Sequence, residues 1–301
     1  MRRVFHRCVS FMADNSVPRA TVVSIESKPS RRRMTTRQRI LFLLTGWLIV
    51  MLPFLFWWNT WFGRSLTDQQ ITEYLRDDRH PRHIQHALIQ IGDRMARHDT
   101  SVQQWYPDLV RLSSYSIEEV RNTDAWIMGQ DNSVSTFHAA LLNMLNDPSL
   151  IVRGNAALSL VRFGDATGRP QIAALLQPVK ITATESGTLL DTGAIGTAVH
   201  QGGLVAELKV GNQTRELRSP IAGRIESIAG GQGQNVPSGS EVAAIEPETE
   251  QVWEALRGLY VVGQLQDLPP ITSYERDSPH IPDRVRQQAK LTEEAIRSRA
   301  K

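Results

Sequence analysis

Three kinds of hydrophobic pattern follow one another along this chain. Residues 40–62 contain no charged side chain and are mostly Leu, Ile, Phe, Val and Trp. From residue 66 the apolar positions recur at helical spacing, whereas residues 178–247 are rich in glycine and alternate apolar with polar positions over short segments. The pattern predicts an α+β protein with one N-terminal transmembrane helix, helical repeats, a β module and C-terminal helices.

The apolar run predicts a retained signal anchor. A helix of this length can cross the roughly 30 Å hydrocarbon core of a bilayer. A cleaved signal peptide has a shorter apolar region, about 7–15 residues, followed by a small-residue cleavage site. Trp57, Trp58 and Trp61 cluster at the far end of the run, where indole rings favour the membrane interface. Pro53 is expected to kink the helix.

The charge distribution predicts the orientation of this helix. Residues 1–39 carry ten basic and two acidic groups, a net charge of +8, whereas the rest of the chain has a net charge of −5. Basic flanks lie on the cytoplasmic side of membrane helices, which predicts a bacterial inner-membrane protein with a cytoplasmic N-terminus and a periplasmic body. The mildly acidic body argues against nucleic acid as a partner. Met34 is an alternative start to Met1.

Residues 66–177 contain a loose helical repeat. Gly92, Gly129 and Gly164 close amphipathic segments at spacings of 37 and 35 residues, which are typical of two-helix repeats. Each is expected at a helix C′ position with positive φ. In the clearest unit Asp147 is expected to cap a helix. The buried stripe predicted for that helix comprises Ile151, Ala156, Leu158 and Val161. An irregular helical bundle is the alternative.

The segment DPSLIVRGNAALSLVRFGDATGRPQIAALL at residues 147–176 resembles the short HEAT-like repeat of phycobilin-lyase-type proteins. In that family an Asp-Pro opens a helix, Val-Arg and Ala-Leu line its inner face, and a Gly-Asp turns the chain. Related phrases return at residues 252–271 and 281–296. The resemblance implies repeats that bury their cores by stacking on each other. It implies no lyase activity, because this repeat is widely used for interaction alone.

Residues 178–247 contain two halves that echo each other. VHQGGLVAEL at residues 199–208 corresponds to VPSGSEVAAI at 236–245 with an offset of 37. SGTL at residues 186–189 corresponds to AGRI at 222–225 with an offset of 36. The repetition predicts a β sandwich with quasi-two-fold symmetry.

The second half, SPIAGRIESI at residues 219–228 and GQNVPSGSEVAAIEP at 233–247, resembles the biotinyl/lipoyl-like domain. Carriers of that family present a modified lysine at a hairpin tip, eight residues before a proline that corresponds to Pro220. The residue at that position is Asn212, whose amide cannot be biotinylated or lipoylated, so no cofactor is expected. A carrier remains an alternative if the register of the turn is shifted, because Lys209 would then be the modified lysine.

Lysine-free versions of this domain resemble those of periplasmic adaptor (membrane-fusion) proteins, which also begin with one membrane helix. Those proteins insert a long α-hairpin between the two halves, whereas only residues 209–215 separate them here. The resemblance implies an intact module inserted into, or docked on, the HEAT-like array.

The predicted domains are a cytoplasmic tail (1–39), a transmembrane helix (40–62), HEAT-like repeats (66–177), a biotinyl/lipoyl-like β module (178–247) and C-terminal helices (248–301).

Candidate chemistry is sparse in the sequence. His80, His83 and His86 recur at intervals of three, which spreads them around a helix, so a shared metal would need a third ligand from elsewhere. We interpret them as a solvated polar face and predict no metal site. His200 is the only histidine of the β module, too few for a metallopeptidase site of the lysostaphin type. No nucleophile elbow, P-loop or dinucleotide fingerprint follows a predicted strand, so no catalytic residue is predicted.

These observations predict a non-enzymatic, membrane-anchored periplasmic scaffold or adaptor. Its expected partners are inner-membrane lipid and protein subunits of an envelope complex for transport, secretion or a membrane-embedded machine, with self-association left open. The alternatives are a lipoyl- or biotin-type carrier or enzyme subunit, and a membrane-tethered sensor that binds a small ligand between helices and module. The candidate partner contacts are Gly211, Asn212, Gln213, Gln232, Gln234 and Asn235.

Overall fold

The computed structural model describes residues 35–57 and 65–301, which belong to two compact units that divide between Arg64 and Ser65. In the first unit, helix α1 spans Thr36–Trp57 and contains Pro53. Its segment Thr36–Leu55 has a mean hydropathy of 1.8 and is unburied. It is long and apolar enough to cross a membrane. The predicted tail up to residue 34, and Trp58 and Trp61, lie outside the described residues.

The second unit combines helices with a β module. Two short 3₁₀ helices occur at Thr100–Trp105 and Leu265–Asp267. The α-helices before the module are α2 (Asp68–Leu75), α3 (Pro81–Ala96), α4 (Tyr106–Leu112), α5 (Glu118–Met128), α6 (Ser135–Met144), α7 (Leu150–Arg162) and α8 (Arg169–Ala174). Those after it are α9 (Thr249–Val262), α10 (Leu268–Ser273) and α11 (Asp283–Arg299).

The helices stack into one continuous array. α3 packs on α5, α5 on α7, α7 on α9 and α9 on α11, while α8 packs on both α7 and α9. Buried apolar side chains from Leu66 to Leu176 and from Val252 to Ile296 belong to a single core cluster. The β module therefore interrupts the helical array in sequence without interrupting its core.

A Val-Arg pair marks the repeat in three dimensions. Val120 and Val152 are buried, and the arginines that follow them, Arg121 and Arg153, each donate to the backbone carbonyls five and six residues earlier. Arg121 also binds both carboxylate oxygens of Asp147, at 2.6 and 2.9 Å. The same bonds thus recur 32 residues apart, in α5 and α7, and an ion pair joins the starts of these two helices.

The start of α7 differs from the prediction. Ser149, not Asp147, caps the helix, and its hydroxyl accepts a 3.4 Å hydrogen bond from the amide of Val152. Asp147 lies before the cap, where its carboxylate binds Arg121 and accepts from the Ser149 amide at 2.8 Å. The contact with Arg121 of α5 therefore fixes the position of the acid.

Two of the three repeat glycines lack the predicted positive φ. Only Gly164 has positive φ, +74°. Gly92 lies buried inside α3, and Gly129 has φ −68°. A Cβ atom on Gly129 would lie 2.4 Å from the Ser159 hydroxyl oxygen, and one on Gly92 would lie 3.1 Å from the Trp126 ring. Gly92 therefore permits close helix packing rather than a turn, whereas Gly129 ends α5 as predicted but without positive φ, and lies against Ser159 of α7.

The predicted buried stripe of α7 is only partly buried. Ala156 is fully buried, as predicted, but Ile151, Leu158 and Val161 are half-exposed. The prediction failed because α7 carries apolar residues on two faces. The face that fills the core consists of Val152, Gly154, Ala156, Ala157 and Leu160.

The β module is a sandwich of eight strands. They are β1 (Val179–Thr182), β2 (Gly187–Thr192), β3 (Ala198–Val199), β4 (Leu204–Val210), β5 (Gln213–Arg218), β6 (Gly223–Ile228), β7 (Asn235–Val236) and β8 (Glu241–Pro247). The strands form two four-stranded antiparallel sheets with strand orders β1-β8-β6-β3 and β5-β4-β2-β7. Each strand of one sheet corresponds to the strand four places earlier or later in the other sheet, as expected from the sequence repeat.

The first and last strands of the module are neighbours. β1 pairs with β8 so that Val179 faces Ile245, which places the two connections to the helices side by side. The sandwich encloses its own apolar cluster, against which Leu150 and Ile151 of the helical array also pack. An insertion whose ends are adjacent leaves α8 and α9 free to contact each other.

Candidate functional site

The hairpin between β4 and β5 ends in a two-residue turn. Val210 pairs with Gln213 across it, and Gly211 and Asn212 form the turn itself. Gly211 has φ +58°, a conformation that glycine adopts without a steric penalty and that suits the first position of a type II′ turn. Gly211, Asn212 and Gln213 are all exposed.

The glycine-rich loop before β7 contributes the other predicted contacts. Gln232, Gln234 and Asn235 are exposed. Gln234 shapes the loop, because its carbonyl accepts a 2.8 Å hydrogen bond from the Leu189 amide and its side chain accepts one of 3.0 Å from the Gly231 amide. The Gln234 side chain therefore stabilises the loop that presents Gln232 and Asn235.

The structure brings the turn and the loop to one end of the same sheet. Asn235 pairs with Thr188, Thr188 with Lys209, and Lys209 with Thr214, which forms a row across β7, β2, β4 and β5. At about 4.8 Å between strands, the row spans about 14 Å. We call this end the tip surface, defined by Gly211, Asn212, Gln213, Gln232, Gln234 and Asn235.

The opposite end of β4 contacts the helices. Gln201, just before β4, donates a hydrogen bond to Glu118 at the start of α5. The seven residues of β4 at about 3.3 Å each separate this contact from the tip surface by about 20 Å. The tip surface is therefore held well away from the helical array.

A groove of about 800 Å³ on the helical array was not predicted. We call it the helical groove. Its apolar walls include Trp126 of α5, Leu158 and Val161 of α7, Tyr260 of α9 and Leu291 of α11. Trp126 is 47% exposed and Leu291 51% exposed. The sequence signal that could have revealed it was the second apolar face of α7, which the prediction assigned to the core.

Charged side chains of both signs line the helical groove. Arg162, Glu254 and Arg257 contribute to its wall. The guanidinium of Arg257 lies 4.6 Å from the ring centroid of Trp253 and 3.3 Å from a carboxylate oxygen of Glu254. The groove can therefore hold an apolar surface on its floor and form ion pairs with either charge at its rim.

A second cavity of about 620 Å³ lies between the β module and the C-terminal helices. His200 and Arg224 reach it from the module, and Tyr274 and His280 from the helical side. The Tyr274 hydroxyl donates a 2.8 Å hydrogen bond to the Leu176 carbonyl. Burial raises the pKa of Tyr274, so its hydroxyl keeps its proton and remains a donor.

Asp124 is an isolated carboxyl group in the helical core. It is fully buried on α5, and neither of its oxygens has a hydrogen-bond partner among the described residues. Burial raises the pKa of Asp124 well above its ordinary value, with only partial opposition from the charge of Arg111. The fold therefore favours the neutral acid.

No protein-family model and no curated protein matches this chain. Among solved structures it is similar to the CpcE–CpcF complex of phycocyanin lyase from Nostoc sp. PCC7120, with 15% identity and a TM-score of 0.41 over 79% of this chain and 68% of that chain. Kluyveromyces lactis urea carboxylase gives 20% identity and a TM-score of 0.22, over 23% of this chain and 6% of that chain. A single-chain, multi-domain long-chain acyl-CoA carboxylase gives 14% identity and a TM-score of 0.24, over 46% of this chain and 14% of that chain. These similarities are weak, and no activity is transferred from them.

Proposed function

We propose that this chain is a non-enzymatic, membrane-anchored scaffold or adaptor that binds protein partners of a bacterial envelope complex. The observation that carries the proposal is the helical groove. α7 fills the core with one face and presents Ile151, Leu158 and Val161 to the groove with another. Contiguous apolar surface of this kind is typical of protein-binding sites.

The chemistry of the helical groove favours a helical partner segment. An amphipathic helix places apolar residues at intervals of three and four along one face, which suits walls formed by Leu158, Tyr260 and Leu291. Arg162 and Glu254 at the rim can pair with charges that flank such a face. The expected ligand is therefore an amphipathic helix from another subunit.

The β module adds a second binding surface to this proposal. Its two related sheets support the resemblance to biotinyl/lipoyl-like domains, with Asn212 where carriers have the modified lysine. An exposed turn about 20 Å from the helices can contact a partner without obstruction by the array. The proposal therefore assigns protein binding rather than cofactor transport to the tip surface.

The binding proposal is tested by affinity purification of the tagged, full-length protein from its native membranes in mild detergent. Leu291→Glu introduces a charge into the helical groove at a side chain that is 51% exposed, and it is expected to abolish recovery of a stoichiometric partner. Ile89→Glu is the matched control, because Ile89 is 54% exposed on α3 and does not line the groove. Partner recovery that is equal for the two variants contradicts the assignment to the groove.

Membrane anchoring and orientation form a separate part of the proposal. The chain has one cysteine, Cys8, which makes thiol labelling straightforward. In a Cys8→Ser background, Asn212→Cys is expected to react with a membrane-impermeant maleimide in cells with a permeabilised outer membrane. Cys8 of the unaltered protein should react only after lysis. The reverse pattern would place the β module in the cytoplasm and end the periplasmic proposal.

A ligand sensor is the second candidate, favoured by the cavity between module and helices. Its lining includes Glu246, Glu248 and Glu250 against the single arginine Arg224, which suits a small cationic ligand. A thermal-shift screen of small amines is expected to give a stabilising hit that Glu248→Gln removes. Intact-mass analysis separately tests a carrier, because an adduct on exposed Lys209 would add the mass of biotin or lipoate.

A further inference from the structure

The turn between α2 and α3 brings together three side chains that can bind a metal ion. Asp77 lies in this turn, His80 is the N-cap residue of α3, and His83 lies in its first turn. The Asp77 Oδ2 atom is 2.9 Å from His80 Nδ1 and 2.7 Å from His83 Nδ1. The candidate ligand atoms of all three lie within 4.8 Å of one another.

The surrounding contacts hold these side chains in place. The ring of Tyr74 stacks on that of His83, with centroids 4.3 Å apart and planes 9° from parallel. The backbone amide of His80 donates to the Asp77 carbonyl, and that of His83 donates to the His80 carbonyl. The Asp77 carboxylate therefore lies against both imidazole rings, with one oxygen shared between them.

We propose that Asp77, His80 and His83 bind a divalent transition-metal ion of the zinc class. Two imidazole nitrogens and one carboxylate form a donor set that Zn²⁺ accepts, at metal–ligand distances of about 2.0–2.2 Å. Neighbouring ligands at those distances lie about 3 Å apart, close to the two observed N···O separations. Small side-chain rotations would therefore convert the hydrogen-bonded cluster into a chelate.

The exposure of the cluster fits an ion that exchanges with solvent. The side chains of His80, His83 and Asp77 are 62%, 40% and 27% exposed. Solvent can therefore reach the site, and water would complete the coordination sphere. Asp77 supplies the third ligand that the histidine spacing alone could not provide.

His86 lies outside the cluster and offers a matched control. It shares α3 with His83, but its Nε2 atom lies 3.1 Å from the Gln90 amide nitrogen, and its ring is tilted against Tyr74 at 6.3 Å. It is also absent from the set of mutually close ligand atoms. Removal of His86 should therefore leave metal binding unchanged.

The test is a titration of metal-free, full-length protein in detergent with CoCl₂, followed by its visible absorption, and with ZnCl₂, followed by native mass spectrometry. The unaltered protein is expected to bind one ion saturably. Asp77→Asn, His80→Ala and His83→Gln should each weaken binding by about tenfold or more, whereas His86→Gln should bind as the unaltered protein does.

Circular dichroism establishes that the variants are folded. His80→Ala is informative here, because the His80 side chain makes no capping hydrogen bond to α3. The proposal is overturned if the unaltered protein takes up no saturable ion. It is also overturned if the folded His80→Ala and Asp77→Asn variants retain the original affinity, since the ion would then be bound elsewhere.

Discussion

At the scale of single residues, contacts between neighbouring helices decide what each side chain does. Gly129 lies against Ser159, whose buried hydroxyl donates a 2.8 Å hydrogen bond to the Ala125 carbonyl. Asp147 pairs with Arg121 of the preceding unit instead of capping its own helix. A helix-ending glycine was expected to have positive φ, and Asp147 was expected to cap its own helix. In both cases a contact with a residue more than 25 positions away determines the role of the residue instead.

Gly129→Ala is expected to destabilise the protein by about 1–3 kcal/mol, because the new methyl group would overlap Ser159 and overpack the helix contact. Chemical denaturation measures the change. Gly231→Ala is the matched control, since Gly231 has no positive φ and no atom within 4 Å of the added Cβ. Equal stability of the two variants would show that the α5–α7 contact tolerates expansion.

Asp124→Asn is expected to gain stability relative to the unaltered protein as the pH rises. The folded state raises the pKa of Asp124 above its unfolded value near 3.9, so unfolding releases a proton at any pH between these two values. In that window the unaltered protein loses up to about 1.4 kcal/mol per pH unit, and the loss is absent below the unfolded pKa.

Denaturation curves at pH 4.5, 6 and 7.5 measure this difference. Asp93→Asn is the control, because Asp93 is exposed on α3. A constant difference between Asp124→Asn and the unaltered protein across these pH values would mean that Asp124 is ionised in the folded state.

At the scale of secondary-structure elements, the sequence predicts whether a segment is a helix or a strand better than it predicts which other elements the segment packs against. Periodicity distinguishes the helices from the β module. The sequence repeat with offsets of 36 and 37 residues matches the two sheets, because each strand of one sheet has a counterpart four strands away in the other. Periodicity does not reveal which face of α7 meets the core, because both are apolar. The Asp77 contact also escaped prediction, since a turn residue has no periodic signal.

Arg121→Met is expected to destabilise the helical array by about 3–5 kcal/mol. The substitution removes the partner of the Asp147 carboxylate, which is then left as an unpaired and largely buried charge. Arg153→Met is the matched control, since Arg153 makes the same carbonyl contacts but forms no ion pair with any residue that the structure describes. Its cost should be nearer 1 kcal/mol. Thermal unfolding compares them. Similar costs would assign the contribution of Arg121 to its carbonyl contacts.

At the scale of the whole molecule, the second unit has two apolar cores, one formed by a single stretch of the sequence and one formed by two separate stretches. The sandwich core comes from one uninterrupted segment, whereas the helical core draws on residues both before and after it. The sequence predicted that the module is either inserted into the array or docked on it, and it could not decide between the two, because a helical pattern near residue 252 carries no information about which distant helix it will contact.

Replacement of residues 179–247 by a short Gly-Ser linker is expected to leave a folded helical array. Val179 and Ile245 face each other on neighbouring strands, so their Cα atoms are about 5 Å apart and a few residues can join the ends. Circular dichroism should retain the helical signal with a cooperative thermal transition.

Truncation after Pro247 is the control for this excision. It removes fewer residues but deletes α9 and α11 from the helical core, so it should abolish the cooperative transition. If the excised chain also failed to unfold cooperatively, the sandwich would be required for folding of the array.

The side-by-side connection of β1 and β8 also has a mechanical consequence. A pull on the turn at Gly211 and Asn212 reaches the helices through two adjacent strands, one leading from α8 and one leading into α9. The load is shared between two attachment points on helices that already contact each other. The two connections, together with the Gln201–Glu118 hydrogen bond, hold the sandwich at more than one point, so it should resist rotation about its long axis more than a domain joined by a single linker would.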